Sequence, residues 1–237
     1  MTFPVKTAYG GSRFNSLPSV ELANDALRMN NHLSIGIAAL GPLFIKSGLY
    51  EKWGISLLHN HWLLNEGEIC VQSPGVHCGH REYITTPRDS SSTIGLWPIN
   101  FVTCAPDGGL QPIEYSCDES LAGATQQLYD SGQFVRDFVE AVLGSGLEAT
   151  FGLVASKTPV RPNHELVEHT NECRRVSVLR ERPVGRSRNK LIQTAWFFAP
   201  TEESVACRLT CEWYCDVGTG HPRAHRAKHE FHAESNP

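Results

Sequence analysis

Two kinds of apolar periodicity occur along the chain, and the helical kind appears in two places. Ser19 is followed by apolar residues at helical spacing between Leu22 and Leu27, which predicts an early amphipathic helix. A second helical pattern runs from Asp130 to Gly144, with apolar residues recurring every four positions and a glycine at its end. Both segments are predicted to pack one apolar face against a core.

Most of the remaining pattern has the two-residue period of strands. Trp53–Leu63 alternates, and a turn near residue 107 separates the apolar runs Thr93–Cys104 and Leu110–Cys117. Ile192–Phe198 and Val205–Cys215 form another predicted pair. The prediction is an α+β fold: a mainly antiparallel sheet, which could be barrel-like, with a few packed helices.

Composition supports one globular domain. Of the 237 residues, 41% are hydrophobic and 19% are charged, which suits a chain with a substantial core. The sequence shows no internal repeat and no polar linker that would divide it. We therefore expect a single domain over residues 1–237, with a loose amino-terminal segment and a histidine-rich carboxy-terminal tail.

The net charge and the length of the apolar stretches limit the classes of partner that we expect for this protein. The net charge of −4 gives no general attraction to nucleic acid or anionic lipid. The longest uncharged apolar stretch, Leu33–Ile45, is shorter than the roughly 18 residues of a membrane span. The amino terminus has no apolar signal core, so we expect a cytoplasmic protein, with no nucleic-acid or membrane partner and with eight mainly free cysteines. The sequence leaves the oligomeric state open.

The segment LLHNHWLLNEGE carries the clearest candidate chemistry. His59 and His61 are predicted to point to the same face of the Trp53–Leu63 strand, among apolar residues. Two inward imidazoles need polar partners, and a shared metal ion would satisfy both. Glu66 or Glu68 could add an oxygen ligand. Two histidines and a carboxylate leave coordination positions open, as in catalytic zinc and non-haem iron sites.

This segment resembles the first metal motif of the cupins, with His59, His61 and Glu66 at the motif's His-x-His-x4-Glu spacing. The flanking Gly54 and Gly75 stand at four and eight residues from the motif, where the family has five and six. The resemblance implies that His59, His61 and Glu66 bind a divalent metal, iron or zinc.

The second cupin motif is matched less well. Pro106 and Gly108 fit, but Gln111 stands where the family has its histidine and Tyr115 where it has an asparagine. The resemblance therefore places Gln111 at the position of the fourth ligand.

The tail offers a second metal candidate, Cys215, His221 and His225. Cys207 and Cys211 would lie about 13 Å apart on a strand, too far to share a zinc ion. The segment HELVEH, residues 164–169, is one residue longer than the zinc-protease motif, and its two histidines would not share a face.

Three functions remain open. The first is a metal-dependent oxygenase, isomerase or lyase acting on a small organic molecule, with His59, His61 and Glu66 as catalytic metal ligands. The second is a metal-free isomerase, cyclase or dehydratase, with His59 or His61 as general base oriented by Glu66. Its pocket would be lined by the aromatic residues Trp53, Trp62, Trp97 or Phe101. The third is a non-catalytic protein that binds a ligand or is stabilised by zinc at the tail.

Overall fold

The computed structural model describes residues 11–77, 80–91, 93–104, 109–156, 164–184, 191–200 and 207–216. Within these ranges the chain forms five α-helices: α1 Gly11–Asn15, α2 Val20–Met29, α3 His32–Ser47, α4 Ala122–Asp130 and α5 Gly132–Gly144. Short 3₁₀ turns cover Leu49–Glu51 and Glu119–Leu121. No described helix is long and apolar enough to cross a membrane.

The same ranges contain ten strands: β1 Trp53–Leu57, β2 Glu68–His77, β3 His80–Asp89, β4 Trp97–Cys104, β5 Gly109–Ser116, β6 Phe151–Ala155, β7 His164–Asn171, β8 Val176–Pro183, β9 Leu191–Pro200 and β10 Cys207–Asp216. They close into a barrel in the order β1-β6-β4-β5-β2-β3-β8-β7-β10-β9. Pairing is antiparallel except at β2–β5 and β7–β10. The predicted α+β class with a mainly antiparallel sheet is confirmed.

The helices cover one outer side of the barrel. A single apolar cluster joins residues of α2, α3, α4 and α5 to residues of β1, β4, β6 and β9, including Phe44, Phe101, Phe138 and Trp196. The helix predicted after Ser19 is α2, and the Ser19 side chain accepts a hydrogen bond from the Leu22 N–H at its start. The apolar faces of α2 and α5 thus pack into this cluster, as their periodicity predicts.

The two faces of the strands differ in chemistry. Trp53, Ile55 and Leu57 of β1 belong to the outer cluster, whereas the Ser56 side chain lines a cavity inside the barrel. Gly152 of β6 lies opposite Ser56, and a Cβ there would stand 2.5 Å from the Phe101 carbonyl oxygen. A glycine is needed at this close approach, because any side chain would push the neighbouring strand away.

One predicted boundary was wrong. The strand predicted over Trp53–Leu63 ends at Leu57, because the chain leaves the sheet to pack against α1. The helix predicted to begin near Asp130 is α5, which starts at Gly132, just after α4 ends at Asp130. The two predicted pairs, β4–β5 and β9–β10, are confirmed as antiparallel neighbours.

Candidate metal centre inside the barrel

The loop that carries the two histidines is fixed through the asparagine between them. Asn60 is 3% exposed, and its side-chain N–H groups lie within hydrogen-bond distance of the carbonyl oxygens of Phe14, Asn15 and Leu17 at 3.3, 3.5 and 2.7 Å. Its backbone N–H donates to the Pro18 carbonyl at 2.9 Å. The Asn60 side chain points toward α1 and the segment after it, while the side chains on either side line the cavity.

A second asparagine holds the end of the same loop. The Asn15 side chain accepts a hydrogen bond from the Leu64 N–H at 2.7 Å and donates to the Leu64 carbonyl at 2.9 Å. Phe14, Leu58, Trp62 and Leu64 share an apolar cluster around this contact. The loop is therefore held by paired backbone groups rather than by exposed charges, which favours one fixed position for the histidines.

Three side chains converge at this loop. His59 Nε2 lies 3.2 Å from His61 Nε2, and His61 Nε2 lies 3.1 Å from Glu168 Oε2. One ligand atom from each of the three residues lies within 4.8 Å of the other two. Glu168 is contributed by β7, 107 residues further along the chain than His61. In the described part of the chain these are the three residues grouped closely enough to hold a metal ion.

The hydrogen bonds fix the protonation of His59. Its Nδ1 lies 2.7 Å from the Leu57 carbonyl oxygen, which can only accept a hydrogen bond. Nδ1 must therefore carry the proton, and in the neutral ring Nε2 presents its lone pair toward His61 and Glu168.

His61 is buried beside acidic groups. Burial alone lowers the pKa of its imidazole, but the charge of Glu168, its hydrogen bond to the ring, and the charges of Glu114 and Glu172 outweigh burial and raise the pKa above 6.5. The side chains of His61 and Glu168 are 12% and 22% exposed. This corner of the cavity therefore has a negative potential that attracts a cation.

The three residues line a cavity of about 50 Å³ inside the barrel. Most of its other lining side chains are polar: Ser56, Gln72, Thr85, Asn100, Glu114 and Thr194. Ser56 Oγ donates to Asn100 Oδ1 at 3.0 Å, and Asn100 Nδ2 donates to Glu114 Oε2 at 3.4 Å. A polar interior of this volume suits an ion and a small polar molecule.

The structure places the other predicted site residues elsewhere. Glu66 is exposed in the turn before β2 and is not part of the group; Glu168 is the carboxylate that joins the two histidines. Gln111 accepts a hydrogen bond from the Cys104 thiol and is also outside the group. Glu68, the other acid considered, pairs with Arg175.

The structure describes the residues predicted for the aromatic pocket but not all of those predicted for the tail site. Trp53 and Phe101 are fully buried in the outer cluster and do not line the cavity, whereas Trp62 does. Of the predicted aromatic residues, Trp62 therefore lines the cavity, together with Phe14, and polar and apolar residues both contribute to its wall. His221 and His225 lie outside the described residues, as does the side chain of Cys215, so that metal site stays a prediction.

Sequence reasoning missed Glu168 although it lies within the segment HELVEH. On β7 the residues Leu166 and Glu168 alternate with Glu165 and Val167, so Glu168 is an acid on a strand with a buried centre. An acid in this position needs a polar or charged partner, and this need was the feature of the sequence that could have indicated Glu168 as a site residue. Which residue it meets depends on the position of β7 in the barrel, which the local pattern does not contain.

Comparison with protein-family models, with curated proteins and with solved structures finds no match for this chain. The cupin resemblance is therefore limited to a His-x-His pair joined by a glutamate, which comes from a different part of the chain than the family motif implies.

Proposed function

We propose that this protein binds a divalent metal ion through His59 Nε2, His61 Nε2 and a Glu168 carboxylate oxygen, and that it is a metal-dependent enzyme acting on a small polar molecule. The observation that carries the proposal is the convergence of these three ligand atoms at the wall of the polar cavity.

The spacing of the ligand atoms supports this proposal. Two ligands that each lie about 2.0–2.1 Å from a tetrahedral zinc ion are about 3.3 Å apart, and octahedral neighbours are slightly closer. The His59–His61 and His61–Glu168 contacts, at 3.2 and 3.1 Å, match this spacing. The ligand atoms of the third pair, His59 and Glu168, lie within 4.8 Å of each other.

The second contact of His59 supports it too. Histidines that bind metals usually donate their other ring N–H to a carbonyl or carboxylate, which orients the ring and makes the ligating nitrogen more basic. The Leu57 carbonyl does this for His59. Two imidazoles and one carboxylate are a ligand set for both zinc and iron, so either ion fits the site.

The cavity supplies a candidate base for the chemistry. A bound ion would polarise a carbonyl or hydroxyl oxygen of the substrate. Glu114, which accepts a hydrogen bond from Asn100, lines the same cavity, and we propose it as the group that accepts a proton from the substrate, as an isomerase or lyase requires. We propose this proton-transfer class because the cavity pairs a Lewis-acid site with a second carboxylate.

Metal content is the direct test. Protein purified without chelator is analysed for bound metal beside the His59→Ala/His61→Ala double variant and a Glu168→Gln variant. We expect near-stoichiometric iron or zinc in the wild type, none in the double variant and a loss of tenfold or more in affinity for Glu168→Gln.

Matched controls separate this site from the alternatives. His32→Ala removes a half-buried histidine that contacts Thr150 outside the cavity, and Glu66→Gln removes the acid that the sequence suggested. Both should retain metal. Removal of residues 217–237 tests the tail site, and metal that is lost with the tail but retained in the double variant would contradict the proposal.

One observation favours a metal-free alternative. The contact between His61 and Glu168 is also that of an acid/base histidine oriented by a carboxylate. Metal-free wild-type protein that stays free of metal when exposed to zinc and to ferrous iron would favour this second function.

A further inference from the structure

The three proposed metal ligands come from two segments that are far apart along the chain. His59 and His61 lie in the loop after β1, and Glu168 lies on β7, 107 residues after His61. A metal ion holds its ligand atoms at fixed distances, so the two segments must keep a fixed position relative to each other. Contacts that join them away from the ligands therefore bear on metal binding.

Sheet pairing leaves the two segments without a direct link at one end of the barrel. β3 runs to Asp89, where it pairs with Glu68 at the start of β2. Its pairing with β8 covers residues 82–85 of β3 opposite residues 177–180 of β8. At its end, β3 is therefore joined to β2 on one side, while among the described strands no ladder contact joins it to β8 on the other.

A pair of charged side chains crosses this end of the barrel. Arg175 lies in the turn between β7 and β8, and its two terminal nitrogens donate to the two carboxylate oxygens of Glu68, with Nη2 3.0 Å from Oε1. A contact at two points fixes the direction of both groups as well as their distance. Glu68 is the first residue of β2 and directly follows the loop that carries the histidines.

The Glu68 carboxylate also holds that loop. The backbone N–H of Asn65 donates to Glu68 Oε2 at 2.7 Å, and Asn65 Nδ2 donates to Oε1 at 3.3 Å. The hydrogen bond from Arg175, together with those from Asn65, lowers the pKa of Glu68 and keeps the group charged at neutral pH. One carboxylate thus contacts the histidine loop and the turn after β7 at the same time.

The turn that carries Arg175 is tied to the end of β7. Arg175 has a φ of 49°, in the left-handed region that residues with a side chain seldom adopt. Its N–H donates to the Glu172 carbonyl at 3.0 Å, and the Arg174 N–H donates to the Asn171 side chain at 3.0 Å. Because Asn171 is the last residue of β7, a turn built on it moves together with the strand that carries Glu168.

We propose that the Arg175–Glu68 pair positions the metal ligands, by joining the turn after β7, and with it Glu168, to the loop that carries His59 and His61. Neither member of the pair belongs to the ligand group or lines the cavity, so both are positioning residues. The inference rests on the proposed function, because it takes a metal ion as what these ligands hold.

The test measures the Zn²⁺ affinity of the full chain at pH 7 by competition with a chelating dye. Arg175→Gln should bind Zn²⁺ about threefold to fivefold more weakly than the wild type, the range expected for the loss of one surface ion pair. Arg174→Gln removes the neighbouring exposed arginine of the same turn and should bind as the wild type does. Equal affinities in Arg175→Gln and the wild type would overturn the proposal.

A double-variant cycle separates the pair from a general loss of structure. Glu68→Gln should also weaken Zn²⁺ binding, and Arg175→Gln combined with Glu68→Gln should bind no more weakly than the weaker single variant, because the contact is already lost. Arg175→Lys keeps the charge but not the two-point contact, and its affinity should lie between those of Arg175→Gln and the wild type. Losses that add in the combined variant would show that the two residues act separately, against the proposal.

Amide hydrogen exchange of the metal-free protein gives a readout that does not depend on an ion. Arg175→Gln should exchange at least threefold faster at residues 64–65 and 174–175, with residues 134–142 of α5 unchanged. Faster exchange in both segments, with a wild type that binds no Zn²⁺, would overturn the proposed function and leave the link between the segments standing. Zn²⁺ bound by the wild type, with affinity and exchange unchanged in Arg175→Gln, would overturn the link and leave the metal site standing.

Discussion

The outer face of the barrel strands beside the helices is apolar, whereas the wall of the inner cavity combines polar residues with apolar ones such as Val154 and Leu179. On β4, Phe101 points into the apolar cluster under the helices, while its neighbour Asn100 points into the cavity and hydrogen-bonds to Ser56 and Glu114. The outer face is stabilised by burial of large apolar side chains. The inner face must instead satisfy each polar group with a specific partner, and a partner left out costs stability.

This difference indicates which face serves folding and which serves binding. The aromatic residues Phe44, Phe134 and Phe138 pack at centroid distances of 5.1–6.1 Å and join α3 to α5. An apolar interior would stabilise the barrel at least as well as the polar one does. A cavity wall with a buried amide oxygen, that of Gln72, which accepts no hydrogen bond from any described residue is better explained by a ligand than by stability.

The sharpest test of the comparison uses the neighbours Phe101 and Asn100. Phe101→Ala should lower the free energy of unfolding by about 3–5 kcal/mol, because it opens a cavity in the fully buried cluster. Asn100→Ala should cost about 1–2 kcal/mol, because only hydrogen bonds are lost. Urea unfolding of both variants measures the difference, and equal losses would show that the two faces do not differ as proposed.

Asn60 is expected to support both the stability of the loop and its metal binding. Asn60→Ala removes the side-chain contacts to the carbonyls of the α1 region and should cost about 1–3 kcal/mol. It should also weaken metal binding by tenfold or more, because His59 and His61 lose their fixed positions. Asn30→Ala, which removes one exposed hydrogen bond to Ala26, is the control. Unchanged metal affinity in folded Asn60→Ala would show that the loop positions itself without Asn60.

The fold could be predicted from the sequence further than the site could. Hydrophobic periods of two residues and of 3.6 residues are local features of the sequence, so the α2 and α5 helices and the two strand pairs could be predicted from them. The closure of the sheet and the parallel β7–β10 pair depend on contacts between distant segments. Glu168 reaches His61 only through that closure, whereas Glu66 was close in sequence and was therefore chosen instead.

The loop itself shows how a local pattern misleads. Alternation continues from Trp53 to Leu63, but Trp53, Ile55 and Leu57 face the outer cluster while His59 and His61 line the interior. Hydrogen bonds from Asn60 to the region of α1 take the chain out of the sheet after Leu57. No pattern within residues 53–63 contains that information, because the partners lie more than 40 residues away.

A smaller effect is expected at Gln72, whose buried Oε1 accepts no hydrogen bond within the described part of the chain. Gln72→Leu in metal-free protein should raise the free energy of unfolding by roughly 0.5–1 kcal/mol, since the unpartnered Oε1 is removed. Gln126→Leu, on the exposed face of α4, should change it by less. Urea unfolding of the two variants without metal checks this. Destabilisation by Gln72→Leu would mean that its bond to Thr85 outweighs the cost of the free oxygen.

The smallest expected effect lies at the ion pair between Glu68, at the start of β2, and Arg175, in the turn before β8. The hydrogen bond from Arg175 lowers the pKa of Glu68 below 4.5. A lowered pKa in the folded state adds stability that is fully present above pH 4.5 and is lost as the pH falls through the folded value. Because the pair lies at the surface, where solvent screens the charges, its contribution to stability should be small. Arg175→Gln should therefore be less stable than the wild type at pH 7, and the gap in unfolding free energy should close below pH 4.5. A gap that stays constant across this range would mean that Arg175 stabilises the turn through packing and not through the charge of Glu68.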